Sequence, residues 1–161
     1  MKKLIIIRGN SGSGKTSLAK SLHEIYKENS LLICQDIIRR EMLSGNDLKA
    51  SELLLDLIKF GFDNYEITIL EGILVYRKYK TLFKKIKDIY ATKDIYTFYY
   101  DLSFQETVNR HYSRAIKDEF NEETMKQWFV EKDYLNDFNE TIFDSTISLE
   151  KAIDIIKEKI I

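Results

Sequence analysis

The eight residues Gly9-Asn10-Ser11-Gly12-Ser13-Gly14-Lys15-Thr16 keep the spacing G-x-x-x-x-G-K-[ST], between an apolar run and an amphipathic one. Glycines let the backbone curl around an anion with its N–H groups facing inward, and a helix that starts there adds the positive end of its dipole. In such a cradle Lys15 reaches the β- and γ-phosphates of a nucleoside triphosphate, and the Thr16 hydroxyl ligates Mg²⁺. A glycine-rich turn with no phosphate role is the alternative. The agreement of pattern and context speaks against it.

Other chemistry-bearing side chains stand where strands end. Asp36 follows the second apolar run, Glu71 the third and Asp101 the fourth. In an open parallel sheet, ligands lie outside the carboxyl ends of the strands. Arg39 stands three residues after Asp36, one helical turn on, so both would face one crevice. There the carboxylate would accept the proton of a substrate hydroxyl while the arginine grips a phosphate or carboxylate of the same substrate. The plainer alternative is a helix cap followed by a solvated arginine. Arg40 points elsewhere on a helix and is the other candidate anion clamp. Glu71 would hold a Mg²⁺-bound water or touch the substrate from the far side of the crevice, and Gly72 gives the chain room to turn.

Arg110 and Arg114, four residues apart, fall on one helix face, where they repel each other unless an anion lies between them. They are the candidates for neutralising a phosphoryl group in flight, with Lys117 assisting, because that transfer needs positive groups around the equatorial oxygens and exclusion of water.

The elements that must carry these groups follow from periodicity. Continuous apolar runs at 2–8, 31–34, 65–70 and 95–100, with a short run at 142–143, predict buried parallel strands. Amphipathic stretches between them predict covering helices. Segment 35–43 is read as helical, 47–60 as a helix closed by Gly61, and 77–90 as a basic helix with a wet lysine face. Asp101 offers a helix start, 103–114 a helix, 115–123 a charged segment and 124–134 another helix. Ser148 caps the last one. Trp128, Phe129 and Met125 have core-like spacing, and packing is preferred over a base-stacking platform. The alternation of strand and helix predicts an α/β fold with a parallel sheet covered on both faces.

Composition narrows the class. The chain has 161 residues, enough for one domain with a real core, 44% hydrophobic and 32% charged. A net charge of -1 argues against nonspecific coating of nucleic acid. The one cysteine, Cys34, excludes an internal disulfide and a multi-cysteine metal site, and reads as a small buried hydrophobe. No run reaches the roughly 18 apolar residues of a membrane span, and the start does not read as a signal peptide, so a cytoplasmic protein without membrane contact is expected. His23 and His111 lack metal-binding spacing, and no G-x-S-x-G turn supports a serine nucleophile.

The segments GNSGSGKTSLAK at 9–20, QDIIRREML at 35–43, ILEGILV at 69–75 and YYDLSFQETVNRHYSRA at 99–115 resemble small P-loop kinases. The likeness is to the group of polynucleotide 5′-kinase, chloramphenicol phosphotransferase and zeta-toxin-like kinases, some of them loosely called uridine kinases. It implies a three-layer αβα P-loop fold in one domain, a five-stranded parallel sheet in the order 2-3-1-4-5, and a helical lid at 111–123. It also implies ATP and Mg²⁺, a D-x-x-R base and substrate arginine at Asp36 and Arg39, and lid arginines at Arg110 and Arg114. Two departures are visible: Glu71 stands where many members have aspartate, and Arg114-Ala115-Ile116-Lys117 replaces an Arg-Pro pair. The implied activity moves the γ-phosphoryl group of ATP to a hydroxyl of a small molecule, nucleoside or nucleotide, with a nucleic-acid 5′ end less favoured. An anionic acceptor would suit Arg39, Arg40 and Lys49. The alternative is a nucleotide-hydrolysing switch or regulatory ATPase or GTPase with no acceptor. Neither the oligomeric state nor a protein partner follows from the sequence.

Overall fold

A computed structural model describes residues 1–113 and 120–161. Five parallel strands, β1 (Lys3–Gly9), β2 (Ser30–Cys34), β3 (Ile67–Gly72), β4 (Ile95–Tyr100) and β5 (Thr141–Phe143), form one sheet in the order β2-β3-β1-β4-β5. The predicted three-layer fold and strand order are those observed. Side chains of a strand alternate between its faces, and β1 shows the consequence. Leu4 and Ile6 join the core under α2 (Asp47–Asn64) and α3 (Tyr76–Ile89). Ile5 and Ile7 join the core under α1 (Lys15–Tyr26) and α6 (Leu149–Ile160). Two shorter helices, α4 (Phe104–Tyr112) and α5 (Glu122–Trp128), lie beside the glycine-rich loop.

Several boundaries differ from expectation for identifiable reasons. α2 runs through Gly61 to Asn64. Gly61 is there for close approach, since a Cβ at that position would stand 2.3 Å from Thr68 Oγ1 on β3. α4 starts at Ser103, whose hydroxyl accepts from the Glu106 N–H at 3.2 Å, rather than at Asp101. Asp101 instead accepts a 2.5 Å hydrogen bond from the Tyr134 hydroxyl. α5 starts earlier, capped by Asn121, and stops at Trp128. It cannot continue to 134, because the Asn10 amide takes both the N–H and the carbonyl of Val130 at 2.9 and 2.8 Å. Segment 35–43 contains a π-helical stretch, Ile37–Met42.

The end of β1 carries a charge inside the core. Arg8 is fully buried, and its guanidinium meets Asp133, the Glu140 carboxylate at 3.0 Å and the Leu74 carbonyl at 3.1 Å. The rings of Tyr99 and Phe83 flank it, with centroids 5.3 and 5.5 Å away. Asp133 also accepts from the Tyr76 N–H at 2.9 Å. This cluster therefore joins β1, the turn leaving β3, the start of α3 and the chain returning from α5. It also fixes Leu74 at φ 46, a left-handed conformation that a leucine adopts at a cost of roughly 1–2 kcal/mol.

Removing the cation leaves two carboxylates facing each other in low dielectric. Arg8→Met is expected to lower stability by about 3–5 kcal/mol in urea unfolding, and Arg8→Met with Asp133→Asn and Glu140→Gln should recover part of that loss. A single variant as stable as the parent would show that the cluster is not coupled to folding.

Candidate active site

The glycine-rich loop adopts backbone conformations that call for glycine at 9, 12 and 14. Gly12 adopts φ 83, and a Cβ there would stand 2.5 Å from the Thr107 carbonyl of α4, so neither the torsion nor the space admits a side chain. α1 begins at Lys15 directly after the loop, and Lys15 is buried. Ser13 Oγ is buried with no hydrogen-bond partner among the described residues, an orphaned polar atom inside the cradle. Of the other loop residues, Gly9 ends β1, Gly14 precedes α1 and Ser11 is partly exposed. The Asn10 side-chain amide is engaged with the Val130 backbone.

Thr16 and Glu71 meet. The Thr16 hydroxyl donates to Glu71 Oε2 at 3.2 Å, and Glu71 is 2% exposed. Register explains the meeting: Glu71 lies opposite Ile7 of β1 and Cys34 of β2, in the row just before the strands end. The glutamate, longer than the expected aspartate, still contacts the loop threonine. A hydroxyl and one carboxylate are hard oxygen donors of the kind Mg²⁺ takes together with phosphate oxygens. Among the described residues no group of three or more His, Cys, Asp or Glu is built to hold a metal without that help.

Asp36, Arg39 and Arg40 line one cleft of about 230 Å³ beyond the β2 end. Their pairing differs from expectation. Arg40 Nη1 donates to Asp36 Oδ2 at 3.2 Å, whereas Arg39 Nε donates to Asp47 Oδ1 at 2.7 Å. Asp36 and Arg40 are four residues apart, a spacing that sets two side chains on one helix face, while Arg39 turns toward α2. The Arg40 guanidinium also lies 4.2 Å from the Phe120 ring centroid and 6.0 Å from that of Trp128. Met125 is buried, as expected for packing, but Trp128 is a wall of the cleft. Lys49 pairs with Glu52 on the surface at 3.0 Å and does not line the cleft.

A second carboxylate organises the far corner. Asp47 accepts from Arg39, from Lys78 at 3.2 Å and from the Tyr79 hydroxyl at 3.2 Å, and Tyr79 accepts from Gln35 Nε2 at 2.9 Å. Burial works to raise the Asp47 carboxyl, but hydrogen bonds from Arg39 and Lys78 hold it below its ordinary value. Burial pushes the Tyr79 phenol up to about 12, so it stays protonated and donates.

Arg110 lies on the other flank of the loop. It donates to Glu106 at 2.8 Å, to the Ser13 carbonyl at 3.0 Å and to the Ser145 carbonyl at 3.2 Å, and it lines a shallow depression with Gly14 and residues 145–149. It is thus in contact with the cradle but does not line the Asp36 cleft. Arg114 and Lys117 lie outside the described residues, as does the middle of the expected lid at 111–123. His111 is buried with its ring Nε2 2.7 Å from the Phe120 carbonyl.

Sequence reasoning did not single out Arg8, Asp47, Tyr79 or Asp133. A charge at the end of an otherwise apolar buried strand was the available signal for Arg8, since such a charge must find partners. No comparable signal marked the others, whose roles arise from contacts between distant segments.

Cys34 is half-buried beside Glu71, and burial, then the Glu71 carboxylate, pushes its thiol up to about 12. At pH 8 almost no thiolate is present, so alkylation by iodoacetamide should run more than ~100-fold slower than for an ordinary thiol of pKa about 8.5. Glu71→Gln should quicken it while burial keeps it slow. A Cys34 that reacts at the rate of a free thiol would contradict this geometry.

No family model matches the chain, and no curated protein is similar to it in sequence. Solved structures are similar over nearly its whole length. A gluconokinase from Sinorhizobium meliloti has a TM-score of 0.72 at 15% identity, covering 98% of this chain and 91% of that one. The APS kinase of Mycobacterium tuberculosis, in complex with AMPPNP and APS, has a TM-score of 0.67 at 18% identity, covering 98% and 96%. The tunicamycin resistance protein of Deinococcus radiodurans has a TM-score of 0.67 at 17% identity, covering 99% and 96%. Proteins of different names share this architecture, and at these identities the likeness establishes the fold alone: a three-layer αβα arrangement around a five-stranded parallel sheet.

Proposed function

We propose that the protein is an ATP-dependent phosphotransferase that moves the γ-phosphoryl group to a hydroxyl of a small molecule, nucleoside or nucleotide. The observation that carries the reading is the row at the strand ends. Parallel strands stand ~4.8 Å apart, so the cradle after β1 and the Asp36 cleft after β2 are about 10 Å apart, with Glu71 of β3 between them. A hydrolytic switch needs the cradle but not a walled cleft with a carboxylate beside it.

In this reading the loop N–H groups and Lys15 bind the phosphates, and the α1 N-terminus adds its dipole. Thr16 and Glu71 would hold Mg²⁺, directly or through water, and the ion would offset phosphate charge when bound. Asp36 orients the acceptor hydroxyl and takes its proton, while Arg40 fixes the carboxylate's direction. Arg110 keeps the loop in shape. Among the described residues, three of its N–H groups meet protein acceptors, at Glu106, Ser13 and Ser145, and a phosphate oxygen of the nucleotide would be a further acceptor. Arg114 joins it as a candidate for the phosphoryl group in flight. The nucleotide base would rest in the depression beside Arg110 and residues 145–149. Motif kinship with the polynucleotide-kinase and zeta-toxin-like group is compatible with this arrangement and does not narrow the acceptor. A gluconokinase and an APS kinase share this fold, which favours transfer to an alcohol.

The test is ADP release with Mg·ATP and a panel of nucleosides, nucleotides, nucleic-acid 5′ ends, sugars, sugar acids and antibiotics. Acceptor-dependent release should fall by ~10²–10⁴-fold in Asp36→Ala, the usual worth of a positioned base, with ATP affinity kept. Lys15→Ala should lose ATP binding. Release that needs no acceptor and is indifferent to Asp36→Ala would instead make the protein a nucleotide-hydrolysing switch.

A further inference from the structure

Among the described residues, the cleft beside Asp36 has an uneven charge that transfer to a neutral alcohol does not explain. Arg39, Arg40, Arg77 and Lys78 line it against two carboxylates, Asp36 and Asp47. Arg40 is set against Asp36. At the opposite corner Asp47 faces Arg39, Lys78 and the Tyr79 hydroxyl together, so its charge is outnumbered. Arg77, at the start of α3, adds a further cation and has no carboxylate within ion-pair distance among the described residues. A cleft of one sign with low-dielectric walls concentrates the potential and attracts ligands of the other sign. Leu74, Val75 and Trp128 supply such walls.

We infer that the acceptor is an anionic alcohol, carrying a phosphate or carboxylate that seats at the Arg77–Lys78–Arg39 corner while its hydroxyl lies at Asp36. This rests on the phosphotransferase reading and adds the substrate class to it. Guanidinium groups suit the role because their paired N–H donors match both oxygens of such an anion. The small cleft favours a compact molecule whose anion and hydroxyl are separated by the distance from that corner to the β2 end. No redox step or further reactant is involved: the hydroxyl proton passes to Asp36, the acceptor O–P bond forms and the bond to the leaving ADP breaks.

The protein carries its own reporter, since Trp128 is its single tryptophan and lines the cleft. With the phosphate loop saturated by Mg²⁺ and a non-hydrolysable ATP analogue, tryptophan fluorescence is followed during titration with matched pairs. The pairs are nucleosides against their 5′-monophosphates, and aldoses against their aldonates. The charged member of at least one pair should bind 10-fold or more tighter than the neutral member, and Arg77→Ala should weaken it by about 10-fold while leaving the ATP analogue's affinity unchanged. Which pair responds distinguishes a phosphate from a carboxylate. Arg77 is exposed, so its truncation leaves the core intact.

Equal binding of neutral and charged members, no binding by any anion, or indifference to Arg77→Ala overturns the inference. Charge-selective binding without transfer of phosphate from ATP would uphold the anion seat and bring down the phosphotransferase reading alone.

Discussion

The constraint on which the active-site end of the sheet depends is the burial of one cation, Arg8. Taking a guanidinium out of water costs several kcal/mol, and the cost is offset only if every donor finds a well-placed acceptor. Arg8 finds them at Leu74, in the turn after β3, and at Asp133 and Glu140, in the chain returning from α5. The same pairing could not form with the turn after β3 elsewhere, or with the chain from α5 returning along another path. An apolar residue of similar volume would tolerate several such arrangements; the cation selects one. Burial raises the Glu140 carboxyl even against the attraction of Arg8, which indicates how little solvent reaches the cluster.

From that anchor the two halves of the site are held in fixed relation. Leu74, kept in its left-handed conformation by Arg8, is a wall of the Asp36 cleft. Val130, tied to the Asn10 amide, is another wall, so the phosphate loop and the cleft share a residue pair. On its other side the loop is fixed by Arg110 and by the close approach of Gly12 to Thr107. A loop held in this way does not have to be ordered by its ligand, and ordering it would cost roughly 1–2 kcal/mol per residue. Ser13 Oγ stays buried in that loop with no hydrogen-bond partner among the described residues.

Much of this was legible in the sequence, for reasons that differ between parts. The phosphate loop announces itself because its chemistry is local: glycines, a lysine and a hydroxyl at fixed spacing. The strands announce themselves because both faces of the sheet are covered, giving uninterrupted apolar runs. Their order came from resemblance, since nothing in a run of isoleucines states which neighbour it pairs with. Gly61 misled because a glycine near a helix end most often caps it, whereas here it makes room for Thr68. Asp36 and Arg39 do line one cleft, as their spacing suggests, but which of two adjacent arginines meets which carboxylate has no marker in composition, because Asp47 comes from another element. Trp128 has the spacing of a core residue and lies at the cleft because Asn10 ends its helix one turn sooner than periodicity suggests.

The division of partners between the two arginines also sets the electrostatics of a cleft that holds two carboxylates. Were Arg39 committed to Asp36, Asp47 would keep only Lys78 and the neutral Tyr79 phenol, and its charge would extend into the space beside Asp36. With Arg40 given to Asp36, Arg39 is free to join Lys78 on Asp47. Two carboxylates in one small cavity repel each other and any anion nearby, more strongly as the dielectric falls. Pairing each with its own arginine removes most of that field and leaves Arg77 and Lys78 to set the sign of the cleft.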